Sequence, residues 1–249
     1  AKVAPAQTPD SARAAAWASL LSPADGALDE LAAKQVLQAW GIPVVAEPLA
    51  VSEHEAVLAA SALGWPVVLK SAAPGLLHKT DAGAVRLHVT DVDQVAAVYS
   101  DLRERFGPQV VVQQQIDTRE MVELFLGMSQ DPEFGPLLSV GLGGIWVEAL
   151  EAITFALPPV DANLAARMLA RIPGSKLLDG GRGRAPVNRT AVIDAIVAFS
   201  QLACDLSQHI AEIDVNPLLA GPHGVVAVDA LIVPRAGMMA VQPQGGVLA

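Results

Sequence analysis

The sequence predicts an α/β (α+β) protein folded as two lobes, and three observations carry that prediction. Helical and strand periodicities alternate between Leu28 and Gly107, strand signals dominate from Val110 onward, and no segment repeats at 20 to 50 residues. With 249 residues, 52% of them hydrophobic, the chain can bury a sizeable core as one large domain or as two small lobes around a cleft. The lobes are expected to meet near residue 112. This divides the chain into a linker with a short helix (1–27), an N-terminal lobe (28–112), a C-terminal lobe (113–236) and a tail (237–249).

The elements follow in order. The Pro- and Ala-rich opening AKVAPAQTPD reads as a linker, followed by a short helix over 11–21 and a turn at SPADG. Leu28, Leu31, Ala32, Val36 and Trp40 fall at helical spacing until Gly41 stops them, and a strand is expected over 43–51. SEHE (52–55) has the form of a capping box, in which Ser52 accepts from the Glu55 N–H while Glu55 reaches back, opening a helix that runs to Gly64. PVVLKS (66–71) is a strand and GLLHKTDAGAV (75–85) a loop. AVRLHV (84–89) is a strand whose Val85, Leu87 and Val89 alternate against Arg86 and His88. Thr90 is placed as the cap of a helix ending at Gly107. Strand signals continue through VVVQQQI (110–116), MVELFLGMS (121–129), LLSVGLGG (137–144) and IWVEALEAITFAL (145–157). Helices at about 161–171 and 190–207 are separated by GGRGRAP, and two closing strands, IAEIDVNPLL and VVAVDALIV, are joined by GPHG.

Composition narrows the function classes. A net charge of −10 repels a nucleic-acid backbone or an anionic membrane surface, so an anionic small ligand needs a locally basic pocket. A single cysteine, Cys204, excludes an internal disulfide and a cysteine-based zinc site, and points to a reducing, cytoplasmic setting. No apolar run reaches the roughly 18 residues that span a bilayer, and the opening residues are not a signal peptide.

Four constellations can carry chemistry. With the closing turn at GPHG, Ala220 faces Val225, and counting back sets Asn216 opposite Asp229, while the period of two puts Asp214 on the face of Asn216. Such a cluster of oxygens suits Mg²⁺ held together with substrate phosphates; the same spacing also describes a solvated polar sheet face. Lys70 ends an apolar strand, where its ammonium either neutralises a phosphate or simply snorkels to solvent. His78 lies in a loop flanked by Gly75 and Gly83. Its imidazole, largely neutral near pH 7, can attack a phosphoryl group with Lys79 and Thr80 holding the anion, or it is an ordinary exposed histidine. GLGG (141–144) ends a strand with Glu148 shortly after, and can be an anion-binding nest or a plain turn. Rossmann and P-loop glycine patterns are absent, as are GxSxG and HExxH.

Taken in order, AAKQVLQAWGIPV, GWPVVLKSAAPGLLHKTDAGAV, VELFLGMSQDPEFGPLLSVGLGGIWVE, KLLDGGRGRAP and AEIDVNPLL followed by VAVDA resemble the ATP-grasp half of NDP-forming acyl-CoA synthetases. These are the ADP-forming acetate:CoA ligase β-subunit type, relatives of the succinyl-CoA synthetase β subunit, and the match covers about residues 28–233. The resemblance implies an ATP-grasp fold with ATP or ADP and Mg²⁺ between two lobes. Lys70 would bind phosphate, Gln114 and Glu123 would lie near the adenosine, and Asn216 and Asp229, with Asp214 beside them, would carry the metal. His78 would pass a phosphoryl group between the nucleotide and a phosphohistidine on a partner half, received at Gly143, Gly144 and Glu148. CoA and the small carboxylic acid would be handled by that CoA-binding domain or subunit, and an oligomer is expected. Two departures stand out: Ala84 replaces the family's second loop glycine, and Ala152 and Ala156 stand where an Asp and an Arg are common. They favour, as the alternative, a non-catalytic ATP-grasp domain of a larger protein acyltransferase. A carboxylate–amine ligase is the third reading, and HKTD points away from it.

Overall fold

The computed structural model describes residues 11–18, 21, 26–73, 75–76, 79, 81–144, 152–181 and 183–235. The elements are α1 (Ser11–Ala18), α2 (Glu30–Ala39), β1 (Leu49–Ala50), α3 (Glu53–Leu63), β2 (Val67–Ser71), β3 (Val85–Val89), α4 (Val92–Phe106), β4 (Val110–Gln114), β5 (Val122–Asp131), β6 (Gly135–Leu142), β7 (Ile153–Ala156), α5 (Ala162–Arg171), α6 (Arg189–Asp205), β8 (Ile210–Gly221), β9 (Gly224–Ala227) and β10 (Ala230–Pro234). They form a four-stranded sheet in the order β1-β4-β2-β3 and a six-stranded sheet in the order β10-β8-β5-β6-β7, with β9 paired to β8. Among the described residues, no helix is long and apolar enough to cross a membrane.

Local chemistry places the helix starts. Asp29, Ser52, Asp91, Asp161 and Asn188 each accept a backbone N–H two to three residues into the helix that follows. The cap of α4 is therefore Asp91 and not Thr90, because Asp91 accepts the Gln94 N–H at 2.8 Å while Thr90 bonds the Gln94 side chain. At α3, Ser52 accepts from Glu55 N–H at 3.2 Å as expected, but Glu55 reaches one residue further back, to the Val51 N–H at 2.8 Å.

Three strands depart from expectation, each for a backbone reason. The strand expected over 43–51 shrinks to Leu49–Ala50 and a bridge at Val44, since Pro43 and Pro48 have no N–H to give a ladder. On β3 the pairing with β2 slips by one residue between Val67↔Val89 and Leu69↔Arg86, and His88 takes φ +57. This bulge turns Leu87 out to 61% exposure instead of alternating it inward. The last expected strand breaks between β9 and β10, where Pro217 opposite cannot donate. The register nonetheless survives the break: Ala220 pairs with Val225, Val215 with Ala230, and the Asn216 N–H meets the Asp229 carbonyl at 3.3 Å.

Two cores result. Val67, Leu69, Val110 and Val112 pack with Tyr99 and Leu102 of α4 and Ala56 and Ala60 of α3 beneath the four-stranded sheet. Leu124, Leu126, Met128, Leu138 and Phe199 anchor the second core, and Val36, Leu37 and Trp40 of α2 belong to it. The helix that precedes the first sheet in sequence thus packs with the second. The chain crosses from one core to the other between Val44 and Ala50, and returns after β4, whose pairing with β2 continues to Gln114.

Candidate functional site

A cavity of about 1040 Å³ opens between the two sheets, walled by Lys70 and Lys79 on one side, Asp214, Asn216 and Asp229 on the other, and the first turn of α2 between them. Lys70 reaches it from a strand buried on both faces: its neighbour Leu69 packs into the core with α3 and α4, while Lys70, opposite Val85 and Val111, lines the cavity. The three oxygen-bearing residues reach it because the GPHG turn fixes the register of the closing strands.

The cationic wall is internally paired. Glu30 Oε1 accepts from Lys34 Nζ at 2.9 Å and Lys70 Nζ at 2.8 Å, and Glu30 Oε2 accepts from Lys79 Nζ at 2.7 Å. Burial works to raise the Glu30 carboxyl, but Lys70 and Lys34 outweigh it and hold the group well below the usual carboxylate range. Lys34 also bonds Glu47 Oε2 at 2.5 Å. There burial prevails over Lys34 and pushes the Glu47 carboxyl up to about 7. Glu47 Oε1 and Gln113 Oε1 are buried and, among the described residues, lack a hydrogen-bond partner. Both lie where 46–48 runs beside 112–114, joined by Gln114 N–H to Ala46 O and Val112 N–H to Pro48 O.

The acidic wall is the reverse. Burial, then Glu212 and Asp229, push the Asp214 carboxyl up to about 6. Burial and Glu30 raise Asp229 against the pull of Lys70 and Lys34. Among the described residues, no three His, Cys, Asp or Glu side chains are grouped to cage a metal. Two crowded carboxyls and one amide, all oxygen donors, still fit Mg²⁺, which takes few protein ligands and completes its shell with phosphate and water.

The remaining expected residues divide. Gln114 and Glu123 are exposed and do not line this cavity. Glu123 instead lies against the glycine loop: its carbonyl accepts the Gly143 N–H at 2.7 Å, a Cβ on Gly143 would sit 3.0 Å from Glu123 Cβ, and one on Gly144 would sit 3.0 Å from Glu123 Oε2. Gly144, at φ +63, needs its missing side chain for this approach. His78, Thr80 and Glu148 lie outside the described residues. Ala84 is fully buried at the foot of β3, its N–H on the Lys79 carbonyl at 2.7 Å and its carbonyl on the Ser71 N–H at 2.9 Å, and the positive φ belongs to Gly83 before it. Sequence reading missed Glu30, Lys34 and Glu47. An i,i+4 Glu30–Lys34 pair was visible, but nothing in it pointed to a cleft.

The family model described as the ATP-grasp domain matches residues 19–233. The chain is 35% identical to the acetate–CoA ligase (ADP-forming) I subunit beta of Pyrococcus furiosus over 83% of its own length and 91% of that protein. It is similar at 34% identity and TM-score 0.75 to the dinucleotide forming acetyl-coenzyme A synthetase 1 of Ca. Korarchaeum cryptofilum, covering 84% of this chain and 93% of that one, in two structures. One holds coenzyme A and Mg-AMPPCP with the phosphohistidine segment pointing towards the nucleotide binding site. The other holds coenzyme A and acetyl-coenzyme A with that segment phosphorylated in the site I orientation.

Proposed function

The chain belongs to the ATP-grasp family, and from that premise we propose that it is the nucleotide-binding half of an ADP-forming acyl-CoA synthetase. The observation that carries the reading is the cavity with two lysines on one wall and all-oxygen donors on the other, the pairing that a metal–polyphosphate needs. Lys70 and Lys79 take phosphate oxygens; Asp214, Asn216 and Asp229 hold Mg²⁺. When bound there, Mg²⁺ would offset the charge on the phosphate oxygens.

His78 is the phosphoryl carrier. A neutral imidazole nitrogen forms the N–P bond as the bond from the γ-phosphorus to the bridging oxygen breaks, and ADP leaves with the electron pair. The phosphoryl group then passes to a histidine on a CoA-binding partner half, where acid and CoA become acyl-CoA with release of phosphate; every step also runs in reverse. Gly143, Gly144 and Glu148 receive the partner's histidine, and the contact of Glu123 with both glycines supports moving Glu123 from the adenosine to this loop. Gln114 remains the proposed adenosine neighbour from the sequence alone. A cytoplasmic oligomer containing the partner domain or subunit completes the reading. The position of Ala84 after Gly83 removes one of the two reasons for a non-catalytic domain, because the strained backbone position keeps its glycine.

The test uses γ-labelled ATP with the partner half supplied. The wild-type chain should acquire an acid-labile label that the His78→Ala variant lacks, with transfer to the partner reduced by about 10³-fold or more. Equal labelling of chain and partner in both proteins would exclude the shuttle.

A further inference from the structure

Glu30 opens α2, which packs into the core of the six-stranded sheet, whereas Lys70 belongs to the four-stranded sheet and Lys79 to the loop behind it. Its carboxylate therefore bonds across the cavity to a strand and a loop at once, at 2.8 and 2.7 Å. Lys70 and Lys79 both line the cavity, where a phosphate oxygen would use their ammonium groups. Lys79 also directly follows His78 in sequence. The two ends of the loop differ. Arg105 donates to the carbonyls of Ala82 and Gly83 at 3.0 and 3.2 Å and Arg86 to that of Gly83 at 2.6 Å, pinning the far end. Gly75, at φ +78, has open space where a Cβ would stand. Between the pinned end and the open end, the Lys79–Glu30 ion pair ties Lys79 to α2.

We propose that Glu30 is a positioning residue whose carboxylate takes the place of a phosphate oxygen between Lys70 and Lys79 in the nucleotide-free protein, holding Lys79 against α2 until an incoming polyphosphate claims both ammonium groups. This rests on the nucleotide-binding reading above. It goes further in making Glu30 and polyphosphate compete for the same two lysines. The sign of the effect is distinctive: a residue that merely supports the site weakens ligand binding when altered, whereas removing a competing charge tightens it.

The test has two arms on the full chain without a partner. Hydrogen exchange is followed in the nucleotide-free protein at the amides of Leu76 and Ala84, which bond the Ala73 and Lys79 carbonyls. Glu30→Gln and Lys79→Met should each speed exchange there by about tenfold, and the double variant no more than either, because both remove the same Lys79–Glu30 ion pair. In the second arm, tripolyphosphate without metal is titrated: Glu30→Gln should bind about fivefold tighter, and Glu30→Asp should return towards wild type. Unchanged exchange in both single variants, additive effects in the double variant, or weaker tripolyphosphate binding by Glu30→Gln would overturn the proposal. A wild-type chain that binds no ADP would defeat the nucleotide-binding reading alone, and the exchange arm would still decide the tie between Glu30 and Lys79.

Discussion

On the four-stranded wall of the cavity, Lys70 and Lys79 meet a carboxylate of the protein's own at 2.8 and 2.7 Å; on the six-stranded wall, Asp214 and Asp229 crowd each other beside Glu212 and, among the described residues, form no ion pair. One wall is neutralised in the free protein and the other is not. Lys70 and Lys34 hold Glu30 down, whereas burial, Glu212 and Asp229 leave Asp214 pushed up to about 6. A site that carries its own counter-ion on one side and lacks one on the other is prepared for a ligand with both signs, an anion to exchange with Glu30 and a cation to relieve the carboxylates.

Altering the two walls should therefore shift stability in opposite directions. The largest effect is expected from Lys70→Met. It leaves the buried Glu30 with two cationic partners instead of three, so unfolding by urea should show a loss of about 1–3 kcal/mol. Phosphoryl transfer measured with the partner half should fall by about 100-fold. Asp214→Asn should do the reverse to stability, raising it by about 1 kcal/mol at pH 7 in the metal-free protein, since it removes a charge that burial and two acids disfavour. Destabilisation by Asp214→Asn would mean that the acidic wall has a counter-ion after all.

The smallest effect sharpens the boundary between the walls. Glu47 has its carboxyl raised from 4.5 to about 7, so the folded state binds the proton more tightly than the unfolded one. Stability from this group is full below pH 4.5 and is lost progressively as pH rises to about 7. A Glu47→Gln variant should lose that slope in a pH series of thermal unfolding. An unchanged slope would show that the buried Lys34 keeps Glu47 ionised.

The difference between the walls also explains what could be read from the sequence. The Asn216–Asp229 pairing was legible because a tight turn fixes the register locally, and it held through a strand break that periodicity could not foresee, caused by Pro217. Lys70 was legible as a charge at the end of an apolar strand. Glu30 was not: its partners Lys70 and Lys79 lie 40 and 49 residues away, and a glutamate in the first turn of a helix is fully accounted for by the helix dipole. The allegiance of α2 was hidden for a related reason, because its 3.6-residue stripe specifies that one face is buried without specifying against which sheet. At Glu123 the family resemblance implied a nucleotide neighbour, whereas its contact with Gly143 and Gly144 depends on the β5–β6 register. The bulge at His88 defeated the alternation of β3, a backbone choice made by pairing and not by side-chain pattern.

The most direct test of the two-walled site is calorimetric titration of ADP with and without Mg²⁺ in the wild-type, Lys70→Met and Asp229→Asn proteins. Mg²⁺ should tighten ADP binding by about tenfold in the wild type and in Lys70→Met, with Lys70→Met weaker under both conditions, and the gain should vanish in Asp229→Asn. A gain from Mg²⁺ that persists undiminished in Asp229→Asn would contradict the assignment of cation and anion to opposite walls of this cavity.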